Sequence, residues 1–123
     1  MLTPIAYGLA VFLVVFIIVI GARFLVSPRV AAAGFGVPAK PDGDAAYLDV
    51  KGLRDITSGV IGLALILFAD ADAVGWYMLA VSLTPFGDTL IVLRHGGTRA
   101  AAFGIHFATA VIVWISAALL FAA

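Results

Sequence analysis

The chain has 123 residues, of which 64% are hydrophobic and 11% are charged, and its formal net charge is zero. A soluble domain is about 45–50% apolar and about 25% charged, so this composition predicts a membrane protein. The balanced charge speaks against a nucleic-acid partner, and the absence of cysteine excludes disulfides and thiolate chemistry.

Four apolar segments are long enough to cross a membrane, because a hydrocarbon core about 30 Å thick needs roughly 20 helical residues. They are predicted at residues 4–26, 45–69, 73–94 and 99–121. Thr3 and Asp44 are the expected N-caps of the first two segments. The sequence therefore predicts one all-α domain over residues 1–123, an integral membrane four-helix bundle.

The connection after the first span is expected to contain a short helix. Ser27-Pro28 can begin a helix over residues 29–33, which Gly34 and Gly36 would end. This helix is expected to lie in the membrane interface, and an irregular stretch containing Pro38 and Pro41 follows it.

All seven lysines and arginines fall on one side of these predicted spans. The positive-inside rule then predicts a multi-pass protein of the cell membrane with both termini outside. Tyr7, Trp76 and Tyr77 are expected at the outer interface, as in an aromatic belt.

Polar side chains lie at a similar depth in all four predicted spans, roughly 9–15 Å from the basic side at 1.5 Å per residue. The layer consists of Arg23, Lys51, Arg54, Asp55, Asp88 and His106, with Thr84 one turn before Asp88. Ionisable groups inside spans are costly and mark functional sites by default. The layer has a net charge of +1, so it could hold an anionic or polar head group, or simply pair its own charges.

Helical periodicity places several of these side chains on common faces. Lys51, Asp55, Ser58 and Gly62 follow one stripe of the second span, and Arg99, Ala102, His106, Thr109, Val113 and Ser116 follow one stripe of the fourth. Gly52, Gly59 and Gly62 are expected to let another helix approach closely. Pro85 is expected to loosen the third span.

Each polar residue also has a structural interpretation. Asp55 can neutralise Lys51 one turn away, and Asp88 can pair with Arg23. His106 can be a helix–helix hydrogen-bonding residue. Only two histidines occur, eleven residues apart, so no metal site and no cofactor are predicted.

The ordered motifs along the chain resemble a known family. They are Gly21-x-Arg23, Pro28, Phe35-Gly36-Val37-Pro38, Lys51-Gly52-x-Arg54-Asp55, Gly87-Asp88 and His106. The pattern resembles small membrane proteins grouped as domain of unknown function 4267, and the size and topology look more distantly like DoxX-type proteins. The resemblance implies that Arg23, Arg54, Asp55, Asp88 and His106 belong to one site, and it implies no activity.

We expect a polar pocket in the cytoplasmic half that binds a lipophilic small molecule and can convert it by acid–base chemistry. Asp88 and His106 are the predicted catalytic pair. The predicted ligand-binding residues are Arg23, Lys51, Arg54, Asp55 and Thr84. A proton-coupled transporter and a non-catalytic membrane subunit are the alternatives. Membrane lipids are the expected surroundings, and the glycine face allows a homo-oligomer.

Overall fold

A computed structural model describes residues 2–40 and 43–123, and this part of the chain is all-α, without a strand. Pro41, which belongs to the predicted irregular stretch, lies outside the described residues. The helices are α1 Leu2–Val26, α2 Pro28–Phe35, α3 Ala45–Phe68, α4 Ala71–Val81, α5 Leu83–Arg94, α6 Arg99–Ala101, a π-helical turn Ala102–Phe107, and α7 Ala108–Ala122.

Three helical stretches of the described chain are long and apolar enough to span a membrane: Leu2–Val26, Ala71–Arg94 and Arg99–Ala122. Helix α3, with 24 residues, is equally long. It differs in charge, because Lys51, Arg54 and Asp55 fall within every 18-residue stretch of it. The predicted second span is therefore a continuous helix that is too charged to be recognised as a span by composition.

The predicted third span is divided at Ser82 into α4 and α5. Pro85 supplies the reason, since a proline inside a helix clashes with the carbonyl four residues earlier, here that of Val81. The Ser82 hydroxyl donates to the Leu79 carbonyl at 2.6 Å and accepts a hydrogen bond from the Trp114 indole at 2.8 Å. The expected loosening of this span is confirmed, and a side chain of α7 ties down the irregular point.

The predicted cap at Thr3 is wrong, whereas Asp44 is at the predicted N-cap position but does not cap α3 with its side chain. Helix α1 already includes Thr3. Asp44 occupies the N-cap position of α3, but its backbone is left-handed, with φ of 72°, whereas capping side chains usually sit on extended backbone. Its carboxylate accepts from the Lys40 backbone N–H at 2.9 Å instead, so it closes the preceding turn.

Two other side chains do cap helices. Asp70 accepts from the backbone N–H of Ala73 at the start of α4, at 2.8 Å. Thr98 accepts from the backbone N–H of Ala101 at 3.0 Å, at the start of the last helical stretch. Both keep an otherwise unpaired amide of the first turn hydrogen-bonded.

The short helix after the first span is confirmed, and it is longer than predicted. Helix α2 has Pro28 in its first turn and continues through Gly34. It ends at Gly36, whose φ of 106° is a left-handed conformation that favours glycine, and the Gly36 N–H reaches the carbonyls of Ala32 and Ala33. Gly34 therefore does not end the helix.

Helices α1 and α3 pack backbone to backbone. A Cβ on Gly21 would lie 2.5 Å from the Gly52 carbonyl oxygen, and one on Gly59 would lie 2.8 Å from the Val14 carbonyl oxygen. Because a side chain has no room at either point, these glycines permit the close approach that the sequence predicted for α3.

The apolar core has two parts. The larger contains Ala10, Val14, Val74, Met78 and Leu120, and it joins α1, α4 and α7. The smaller is formed by Phe24 of α1 with Ala31 and Ala32 of α2. Along α1, the stretch between Val14 and Phe24 separates the two clusters, and the polar layer lies beside this stretch.

Candidate functional site

The predicted polar residues line two adjoining cavities of about 460 and 270 Å³. A small-molecule site in proteins is commonly about 300–1,000 Å³, so the larger one has the size of a binding pocket. Arg54 lines only the larger cavity, whereas Arg23 and His106 line only the smaller. The two share a polar wall formed by Lys51, Asp55, Thr84, Asp88 and Thr109.

Lys51 and Asp55 form a close ion pair in this wall. Their side chains lie one turn apart on α3, and the ammonium nitrogen is 2.7 Å from the carboxylate oxygen. The ammonium also lies 4.3 Å from the ring centre of Phe24 and 4.9 Å from that of Phe35, where an aromatic face attracts a cation. The predicted neutralisation of Lys51 by Asp55 is confirmed, so these two charges cancel.

His106 is buried and is held by the end of α2. Its Nε2 lies 2.6 Å from the backbone carbonyl oxygen of Phe35. The centres of the imidazole and phenyl rings of these two residues are 4.2 Å apart. Since a carbonyl oxygen can only accept, the hydrogen-bond network assigns the ring proton to Nε2. In the neutral ring, Nδ1 then keeps its lone pair.

His106 lies in the π-helical turn Ala102–Phe107, which interrupts an otherwise α-helical stretch. The stripe that the sequence predicted is largely retained, because Ala102, Val113 and Ser116 are buried and Thr109 lines both cavities. Single π-helical turns within α-helices occur frequently at functional sites. The α-helical spacing of the polar residues in this stretch did not predict the wider turn.

Asp88 and His106 are neighbours in the lining of the smaller cavity. The Asp88 Oδ2 lies 4.0 Å from the His106 Nδ1, beyond hydrogen-bond distance. Within the described residues, no lysine or arginine lies within 4 Å of this carboxylate, so the predicted alternative of an Asp88–Arg23 pair is not formed.

Arg23 and Arg54 are exposed at the edges of the cavities. Among the residues that the structure describes, neither guanidinium forms an ion pair within 4 Å. Thr84 is also exposed and lines both cavities beside Pro85. The seven predicted residues therefore meet around one connected space, but only two pairs of them interact directly.

Sequence reasoning missed the contribution of Tyr77. Its hydroxyl donates to the Ser58 carbonyl oxygen at 2.5 Å and lies 3.3 Å from the Ser58 hydroxyl. Tyr77 and Ser58 both line the larger cavity. The position of Ser58 on the polar stripe of α3 was the available signal, whereas nothing in the sequence identified its partner.

The described residues contain no group of three or more histidine, aspartate or glutamate side chains that could hold a metal ion. The acidic and basic side chains around the two cavities are two arginines, one neutralised ion pair and the Asp88–His106 pair. Their chemical repertoire is electrostatic attraction, hydrogen bonding and proton exchange.

The family model described as "Domain of unknown function (DUF4267)" matches residues 14–120. The matched range contains all seven predicted site residues and nearly the whole described fold. No curated protein and no solved structure matches the chain. The more distant likeness to DoxX-type proteins gains no support from these comparisons.

Proposed function

The chain belongs to the DUF4267 family, and we propose that it is a four-helix membrane protein whose internal cavities bind a lipophilic small molecule and exchange protons with it. In this proposal, α3 is a membrane-spanning helix in addition to the three stretches that are apolar enough to span. Lys51, Arg54 and Asp55 of α3 all line a cavity, so these three charges need not contact lipid, while the exposed Asp49 lies near the start of the helix. Inward-facing charged side chains are the usual way in which a spanning helix accommodates such residues.

The observation that carries the proposal is the array Phe35–His106–Asp88. The carbonyl of Phe35 fixes the orientation and tautomer of the imidazole, as an orienting partner does in acid–base sites. Nδ1 of the ring and the carboxylate of Asp88 then lie side by side, 4.0 Å apart, where both residues line the smaller cavity. One group can remove a proton from a bound molecule while the other returns a proton elsewhere on it.

This chemistry corresponds to a proton shift, an isomerisation or a cyclisation of a lipophilic substrate. Arg23 and Arg54 would orient its polar group, and Asp55 would hold Lys51. Thr84 would supply a hydroxyl beside Asp88. The apolar part of the substrate would contact Val14, Met78 and Val113 in the larger cavity.

Native mass spectrometry of protein extracted gently from its own membrane tests the binding step. We expect a retained small molecule with the wild type. Asp72→Asn is the control, because Asp72 is an exposed carboxylate outside both cavities. If neither the wild type nor Asp72→Asn retains a molecule, and neither takes one up when lipophiles are added, the proposal is contradicted.

Chromatography of the bound and surrounding lipophiles tests the conversion step. Asp88→Asn and His106→Gln should retain the molecule and change the ratio of substrate to product, whereas Asp72→Asn should leave that ratio unchanged. Identical ratios in all four proteins would rule out acid–base conversion. Substrate-dependent proton movement in proteoliposomes with an unchanged molecule would indicate transport instead.

A further inference from the structure

The larger cavity is polar at one end and apolar at the other. Lys51, Arg54 and Asp55 line it at the end near the predicted basic side, while Val14, Met78 and Val113 line it further along the helices. On α3, Arg54, Ser58 and Gly62 are spaced by four residues each, which is about 12 Å of helix from the polar end to the tight contact at Gly62. This shape suits an elongated molecule with one polar end.

Arg54 is the only lysine or arginine lining the larger cavity that has no ion-pair partner among the described residues. Lys51 is paired with Asp55 at 2.7 Å, and Asp88 faces His106. Arg54 makes no ion pair in the described part of the chain, although it borders a largely apolar space. A guanidinium binds carboxylate and phosphate groups by paired hydrogen bonds, and this attraction is stronger where water is scarce.

The larger cavity also has exposed lining residues on two helices that have little contact with each other. Tyr47 and Arg54 are exposed on α3, and Thr84 is exposed on α5. α3 contacts the neighbouring helix α4 through the Ser58–Tyr77 hydrogen bonds, one helical turn after Arg54. The opening therefore lies on the side of the molecule, between α3 and α5.

We propose that the larger cavity binds a single-chain amphiphile with an anionic head group, a carboxylate or a phosphate, which enters sideways from the leaflet on the basic side. The head group binds Arg54, and the chain lies along Ser58 towards Met78 and Val113. A lipid in that leaflet has the same orientation, head group at the basic surface and chain towards the bilayer centre, so it need not reverse on entry. This inference rests on the proposed binding function and specifies its ligand class.

Photocrosslinking in nanodiscs of neutral phosphatidylcholine tests the orientation. The probe is laurate with a diazirine at the end of its chain. We expect crosslinks at the apolar end of the cavity, at Met78, Val113 or their neighbours. Crosslinks confined to exposed apolar residues outside both cavities, such as Phe12 and Leu67, would overturn this inference, whereas native mass spectrometry tests the proposed binding function separately.

Competition tests the head group. Laurate and dodecyl phosphate should displace the probe at least about tenfold more effectively than dodecanol, because hydrogen bonds to charged groups are stronger than those between neutral groups. The cation dodecylamine should be weaker still. The better of the two anions identifies whether the natural head group is a carboxylate or a phosphate. Equal competition by dodecanol at the same crosslinked residues would overturn the anionic head group and leave the proposed binding function intact.

Two variants assign the effect to Arg54. Arg54→Gln should lose the preference for anions while keeping residual crosslinking, and Arg54→Lys should restore part of it. Arg99→Gln removes an exposed arginine that lines neither cavity, and it should behave like the wild type. An anion preference that survives in Arg54→Gln would overturn the assignment.

Discussion

The imidazole of His106 has two tasks that different substitutions can separate. Nε2 donates to the Phe35 carbonyl and so links α2 to the last helical stretch, while Nδ1 faces Asp88. The first task is structural and needs only a donor. The second needs a basic nitrogen, which an amide side chain does not have.

We therefore expect His106→Gln to unfold close to the wild-type temperature and to lose conversion of the bound molecule. His106→Ala should cost about 1–3 kcal/mol of stability as well, because it leaves a buried carbonyl without its donor. Thermal unfolding in detergent, followed by tryptophan fluorescence, measures the difference. Equal stability of the two variants would show that the hydrogen bond to Phe35 is unimportant.

Ser116 is a second residue for which the structure makes a clear prediction. It is fully buried on α7, and its hydroxyl has no hydrogen-bond partner among the residues that the structure describes. Since an unsatisfied buried hydroxyl costs about 1–3 kcal/mol, Ser116→Ala should stabilise the protein by about 1 kcal/mol. An increase in unfolding temperature would agree with this, and a decrease would show that the hydroxyl has an important partner.

At the scale of the helices, the glycines determine how closely α1 and α3 approach. A Cβ on Gly59 would clash with Ile18 and approach the Val14 carbonyl oxygen at 2.8 Å, whereas a Cβ on Gly8 would contact nothing within 4 Å. Both glycines lie within helices. They are therefore a matched pair for separating packing from helix propensity.

Gly59→Ala should destabilise the protein by about 1–3 kcal/mol through overpacking. Gly8→Ala should be neutral or stabilising by up to about 1 kcal/mol, because alanine favours helix. Thermal unfolding of both variants in the same detergent checks this. Similar unfolding temperatures for the two would contradict the close packing of α1 on α3.

The helices themselves were largely predictable, because proline, glycine and long apolar runs are local signals. The presence of α2, the break near Pro85 and the glycine face of α3 follow from such signals, whereas α2 extends further than predicted. The π-helical turn around His106 and the failure of Asp44 as a cap do not, since each depends on the neighbouring backbone. For the site, the sequence indicated which residues share a depth, while the 71-residue separation of Phe35 and His106 concealed their contact.

At the scale of the whole molecule, the proposed topology places α2 and the following connection in the cytoplasm and the α3–α4 connection outside. The chain has no native cysteine, so single cysteines report accessibility without background. Lys40 lies in the connection after α2, Asp72 lies in the first turn of α4 next to the α3–α4 connection, and both are exposed.

In intact cells, a membrane-impermeant maleimide should label Asp72→Cys and leave Lys40→Cys unmodified. After permeabilisation, both should react, which controls for local accessibility. Labelling of Lys40→Cys alone in intact cells would show that the orientation is opposite to the proposed one. Labelling of both in intact cells would mean that α3 does not span the membrane.

The bond between His106 and residue 35 has a consequence for how the site can vary. The acceptor is a peptide carbonyl, which every amino acid provides, so no substitution at position 35 removes the group itself. The carbonyl is instead placed by the length of α2 between Pro28 and its end at Gly36. One residue inserted into this helix would turn the carbonyl about 100° around the helix axis. The site should thus tolerate exchange of the side chain at this point far better than a change in chain length.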